Sequence, residues 1–243
     1  MYDLSHLEQP GKREAVQQEE ALFLYSLVKV LRPRTIVEFG FAAGYSARNF
    51  LAAMPEDCHL YSYDPSPDAF KFAGKIKDER FTFYQKRGED FMPSDIEGRP
   101  IEIAFLDASH VFEHNKKVFE KIKGYLSDAC IIIVHDTGLY NKDFMEVEWR
   151  IPGSFYVTDK GYAHRPQERI FVNYLKRRYP QFGQIHLHSM NVGRMGLTVI
   201  QRYKKLDVGK LELPILAWRF VRPMLPVKIL ELMRNLVSAK TGN

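Results

Sequence analysis

The stretch TIVEFGFAAG, residues 35–44, decides how this chain folds. Residues 35–39 are β-branched, apolar or aromatic apart from Glu38, and Pro33 stops the preceding helical pattern just before them. Such a short apolar run after a helix reads as a buried parallel strand. Gly40 and Gly44 then bracket three residues where the strand hands over to a second helix. Glycine at both ends lets the backbone turn sharply and approach a ligand that a side chain would block. The spacing is not the G-x-G-x-x-G of nicotinamide and flavin binders. Glu38, just before the first glycine, would repel a pyrophosphate but suits a cationic group such as an amino-acid ammonium. A plain tight turn would carry the same glycines.

Outward from this loop the same alternation repeats. Residues 59–64 (HLYSYD), 81–86 (FTFYQK), 101–107 (IEIAFLD) and 130–136 (CIIIVHD) are strand-like. Residues 15–31, 46–54, 68–77 and 113–126 have helical character around and between them. Strand and helix in alternation imply a parallel sheet with right-handed crossovers. After Asp136 the rhythm breaks into a long irregular connection to His164, which predicts an acceptor lid bearing Tyr140, Trp149, Phe155, Tyr156 or Tyr162. Aromatic residues anchoring that connection to the core would read the same way. A helix over 165–179 and strands over 184–189 and 196–203 follow. The fold class expected is α/β: a Rossmann-like doubly wound sheet, mostly parallel with an antiparallel last strand and helices on both faces.

In open α/β sheets ligands bind beyond the carboxyl ends of the strands, and the first, fourth and fifth strands are expected side by side. Glu38, Asp107, His110, His135 and Asp136 are therefore predicted to converge. Ionisable groups gathered at apolar strand ends are costly unless paired or bound to something. Each histidine singly has a plainer reading, His110 as a helix cap and His135 as a satisfied core residue. Asp64 ends the second strand, where its carboxylate can accept both hydroxyls of a ribose. It could instead cap the next helix, unless Ser66 or Asp68 does so. Arg87-Gly88-Glu89-Asp90 follows the third strand at the level of an adenine amino group.

From about Arg34 to Tyr203 these residues, in this order, resemble the class I S-adenosylmethionine-dependent methyltransferases. FLDASHVFE (105–113), IIIVHDTG (131–138) and HRPQERIFVNYLKRRYPQFGQIHLHS (164–189) look like the bacterial small-molecule group that includes macrocin O-methyltransferase and cephalosporin hydroxylase relatives. The resemblance implies that Glu38, Gly40, Gly44, Ser46, Asp64, Asp90 and Asp107 hold the cofactor, S-adenosylmethionine. It also implies a divalent metal, Mg2+ or another, on Asp107 and Asp136 with His135 beside them. The chain departs from the group in having His135 where some relatives have an acidic ligand, and Ala108-Ser109 where Gly-Asp is common. With an aliphatic hydroxyl as acceptor, the hydroxyl proton is the obstacle, and a metal or a base such as His110, His135 or His164 could remove it. Asp107, His110 and His135 are the expected catalytic residues, acting on the hydroxyl of a sugar, glycan precursor or natural product. The alternative is a non-catalytic module that senses S-adenosylmethionine or scaffolds a partner; the ionisable cluster speaks against it, because a sensor needs no base.

The remaining features bound the answer. A chain of 243 residues with 45% hydrophobic and 27% charged residues is long enough for one α/β core. Residues 1–203 are expected to form the methyltransferase domain and 204–243 a basic, apolar tail. In that tail, Pro214, Pro223, Pro226 and interspersed charges argue against a membrane span. Packing on its own domain, pairing in a homo-oligomer and lying on an anionic membrane surface are its alternative roles. The net charge of +5 is modest, and no Asn/Asp-Pro-Pro-Tyr-like run follows the fourth strand, which disfavours a nucleic-acid substrate. The first twenty residues resemble neither a secretory signal nor a transit peptide, which predicts a cytoplasmic protein, with peripheral association at the inner membrane face if the tail binds lipid. Cys58 and Cys130 each adjoin an apolar run and are expected to be buried, reduced thiols.

Overall fold

The computed structural model describes residues 16–108, 111–138, 167–188 and 196–202. All belong to the first of the chain's two units, residues 1–203; the second, 204–243, lies outside the described residues, so the expected roles of the tail do too.

The elements in chain order are α1 (Gln18–Leu31), β1 (Thr35–Phe39), α2 (Tyr45–Ala53), β2 (His59–Tyr63), α3 (Pro67–Ala73), β3 (Phe81–Tyr84), β4 (Ile101–Leu106), α4 (Phe112–Ile122), β5 (Leu126–Val134), α5 (Glu168–Arg178), β6 (Phe182–His188) and β7 (Gly196–Arg202). The strands form one sheet in the order β3-β2-β1-β4-β5-β7-β6. The five strands from β3 to β5 run parallel, and β7 lies antiparallel between β5 and β6. The expected Rossmann-like class is therefore the observed one, and β1 does sit beside β4, which sits beside β5.

Alternation along each strand divides the core into two. Ile36, Leu60, Ile103, Phe105, Ile131 and Ile133 point to one face, where Leu24 and Val28 of α1 and Phe50 of α2 cover them. Val37, Phe39, Tyr61, Ala104, Ile132 and Val134 point to the other, under Phe119 of α4 and Phe171 of α5. Continuing the count places Glu38 on the α1 and α2 face, and likewise Asp107 beyond Phe105 and His135 beyond Ile133. The fold thus sends three ionisable side chains to one side of the sheet at neighbouring strand ends.

Several boundaries differ from the sequence reading. α3 stops at Ala73 with Gly74 as its C-cap, and Ser66 is its N-cap, accepting from the Asp68 amide at 3.2 Å. α4 ends at Ile122, and a single 3-10 turn over Lys123–Tyr125 leads into β5. β5 begins at Leu126, not Cys130, because Leu126 is buried against Ile101 across a register shift. Asp128 and Ala129, in the intervening residues, are exposed, which hides that part of the strand from a hydrophobic pattern. Cys58 and Cys130 are free and buried, as expected. Burial pushes the Cys58 thiol up to about 12, so it stays protonated and inert. Among the described residues no helix is long and apolar enough to cross a membrane.

Candidate active site

At the end of β1 the backbone is pinned from both sides. The Asp107 amide donates to the Phe39 carbonyl at 2.8 Å, and the Gly40 amide donates to the Tyr63 carbonyl at 2.9 Å. Gly40 has φ +100°, and a Cβ there would lie 2.2 Å from the Asp107 carbonyl oxygen, so only glycine fits. Gly44 has φ +78°, and a Cβ would stand 2.5 Å from the Phe41 ring. Both glycines are thus explained by close packing within the loop and against β4, before any ligand is considered.

The tip of the loop is held from β2. Ala42, at φ +47°, donates its amide to Asp64 Oδ2 at 2.9 Å, while Asp64 Oδ1 accepts from the Ser66 amide at 2.8 Å. One carboxylate therefore fastens the glycine loop to the start of α3. Two oxygens offer about four acceptor directions, so capacity is left for hydroxyl groups. Ser66, not Asp64, caps the helix.

Glu38 lies beneath the loop and is fully buried. Ser46 in the first turn of α2 and Ser62 on β2 both donate to its carboxylate, the latter at 2.5 Å. Burial pushes the Glu38 carboxyl up to about 7, the two hydroxyls offset only part of this, and the charges of Asp107 and Asp64 add to the rise. Glu38 and Ser46 thus act on the loop from below, and Ser62 is a partner that the sequence did not single out.

After β3, Gly88–Asp90 form a 3-10 turn in which Asp90 is exposed. A Cβ on Gly88 would lie 2.7 Å from Phe39 and 2.9 Å from Val118, so the turn rests on β1 and α4. Glu89 meets His114 of α4, with Nδ1 at 2.6 Å from Oε2. This pair was not anticipated either.

Among the described residues, a cluster of charged groups stands at the ends of β4 and β5. His135 Nδ1 lies 3.0 Å from Asp107 Oδ1 and 3.5 Å from Asp136 Oδ1. The His135 amide donates to the Leu106 carbonyl at 3.1 Å, which continues the β4 and β5 pairing one residue further. Asp136 turns away with φ +56°, and that turn keeps its carboxylate beside the histidine. His135 Nε2 lies 3.0 Å from Glu20 Oε2 of α1, a partner 115 residues away that the sequence reading missed. A signal existed: Glu20, Leu24 and Val28 repeat at intervals of four along the buried stripe of α1, so a charged residue occupies a core position. Burial alone pulls the His135 imidazole down, but Asp107, Asp136 and Glu20 outweigh it and hold the ring well above its ordinary range.

Asp107, His135 and Asp136 present ligand atoms that all lie within 4.8 Å of one another. Two carboxylates and an imidazole are a donor set that fits a divalent cation. Of the expected cluster, these three converge, whereas Glu38 is engaged separately by its serines. His110, Ser109, the connection from Leu139 to His164 and its aromatic residues lie outside the described residues.

Comparison with known proteins bears on the domain and its fold. Residues 37–137, from β1 to just beyond β5, match the family model described as a methyltransferase domain. No curated protein matches the chain. Among solved structures, a cofactor-bound protein of MTB (Rv0187) superposes with TM-score 0.61 at 16% identity, over 82% of this chain and 85% of that one. An O-methyltransferase from Bacillus cereus in complex with SAH superposes with TM-score 0.58 at 18% identity, over 79% and 84%. TomG from Streptomyces achromogenes, an O-methyltransferase involved in tomaymycin synthesis and solved with SAM, gives TM-score 0.55 at 19% identity, over 77% and 81%. Residues 37–137 thus match a methyltransferase domain, and the sheet around them has the Rossmann-like methyltransferase fold.

Proposed function

We propose that this methyltransferase domain takes S-adenosylmethionine as donor and methylates a hydroxyl oxygen of a small molecule, with a divalent cation held by Asp107, His135 and Asp136. The observation that carries the reading is the convergence of those three side chains within 4.8 Å, beside the glycine loop whose Gly40 packs on Asp107 itself. The O-methyltransferases that superpose on the chain add support through their fold.

The chemistry asks little of the donor, because the carbon–sulfur bond of a sulfonium breaks to leave a neutral thioether as the new carbon–oxygen bond forms. Alignment and removal of the hydroxyl proton are what remain. Asp64 holds the loop in place and has acceptor capacity for the two ribose hydroxyls. Ser46 and Ser62 fix the Glu38 carboxyl beneath the glycine loop, beside the place proposed for the donor. Asp107 is only half-buried, so it can face an acceptor as well as His135. A divalent cation, when bound, lowers the pKa of a hydroxyl and so eases loss of its proton. His135 is better suited to hold a cation than to act as base, since both ring nitrogens already face carboxylates.

Isotopically labelled S-adenosylmethionine, incubated with the full chain and pools of hydroxylated small molecules, should produce a methyl-shifted product that disappears on exhaustive chelation and returns with Mg2+. Full turnover in the chelated protein would remove the metal from the reading. Absence of any heat of binding for adenosylhomocysteine to folded protein would remove the donor. Binding without turnover on any pool would favour a sensor of S-adenosylmethionine.

A further inference from the structure

Three carboxylates surround one imidazole at the end of β5. Asp107 and Asp136 approach Nδ1, at 3.0 and 3.5 Å, and Glu20 approaches Nε2 at 3.0 Å. Even a charged imidazole leaves this group with an excess of negative charge, and the side chains of Glu20, His135 and Asp136 are no more than 9% exposed. Such an excess is expensive in a poorly solvated place unless a cation balances it.

Glu20 has a local role, since its Oε2 accepts the Gln17 amide at 2.9 Å at the start of α1. A capping glutamate would do the same from the solvent side of the helix. That role does not account for a side chain turned inward onto a residue 115 positions away, on the buried stripe it shares with Leu24 and Val28. Nor does it account for Oε1, which is buried with no hydrogen-bond partner among the described residues.

We infer that Glu20 is the positioning residue of the metal centre: by accepting the Nε2–H of His135 it fixes the tautomer that turns Nδ1 toward a divalent cation shared with Asp107 and Asp136. A histidine that ligates a metal generally donates its other ring N–H to a carboxylate or carbonyl, which orients the ring and strengthens it as a ligand. Helix α1 supplies that acceptor here, and the strand ends supply the ligands. A histidine can thereby stand at position 135 where a carboxylate would need no such support. The inference rests on the metal reading of the site proposed above.

Mn2+ titration of the full chain, followed by electron paramagnetic resonance of the free ion, tests it. One Mn2+ should bind to the unaltered protein, and Asp136→Ala should abolish binding. Glu20→Ala should weaken binding 10–100-fold. Glu20→Gln keeps a carbonyl oxygen able to accept the Nε2–H, so it should recover a large part of that loss, which a purely structural role for the charge would not give. In the Zn2+-loaded unaltered protein, nitrogen-15 spectra of His135 should show the proton on Nε2 and the metal on Nδ1. This last measurement needs no variant and decides the matter if Glu20→Ala fails to fold. Mn2+ binding that is unchanged within twofold in a folded Glu20→Ala protein, or a proton found on Nδ1, would overturn the role of Glu20 and leave the metal centre standing. No Mn2+ binding by the unaltered protein would overturn both.

Discussion

Glu38 shows how a single buried carboxyl ties pH to stability. Its pKa rises from an ordinary 4.5 in the unfolded chain to about 7 in the folded one, mainly through burial. Between those values the native state keeps a proton that the unfolded state has lost, so stability must fall as pH climbs through this window. The full shift corresponds to a loss on the order of 3 kcal/mol. Urea unfolding at pH 5 and pH 8 should show a decline of that sign. Glu38→Gln, which carries no proton to lose, should lessen the pH dependence and leave the part due to His135, whose ring is also held above its ordinary range; an equal slope in this variant would assign the whole effect elsewhere. Ser62→Ala removes a donor to the carboxylate and should cost about 1–2 kcal/mol, with the Glu38 pKa pushed higher still.

At the scale of elements, the loop between β1 and α2 is the part least able to change. A methyl group on Gly40 would need both a strained φ of +100° and room occupied by the Asp107 carbonyl. Gly40→Ala should therefore destabilise the fold by about 2–4 kcal/mol and abolish the heat of adenosylhomocysteine binding; retention of both would mean that β4 can yield. Sequence patterns exposed this loop and the core strands well, because TIVEF, HLYSY and IEIAFL are buried almost without interruption. They were poorer at ends set by contacts from elsewhere. Leu126 joins β5 through its pairing with Ile101, and no local period reports that. The convergence of Asp107, His135 and Asp136 followed from strand order and was legible in advance. Glu20 was not, because its meaning depends on how α1 lies across the sheet; the only local trace is a charge on an apolar stripe. Ser62 is hidden for the same reason, sitting opposite Glu38 only through the β1 and β2 register.

For the molecule as a whole, a ligand that binds only the folded state should raise the melting temperature, and saturation at a hundred times its Kd adds about 2.7 kcal/mol. Adenosylhomocysteine should do so for this chain in a concentration-dependent way, read by calorimetric melting. An unchanged midpoint at millimolar ligand would speak against a nucleoside pocket at Asp64. The sheet itself has a further property. His135 reaches Asp107 and Glu20 because it shares the odd-numbered face of β5 with Ile131 and Ile133. Were β5 to anneal onto β4 one residue out of step, the imidazole would turn toward the side of Phe119 and Phe171. On the metal reading proposed above, such a misregistered molecule would bind no cation, so a preparation's bound-ion stoichiometry would report how faithfully that one pair of strands has annealed.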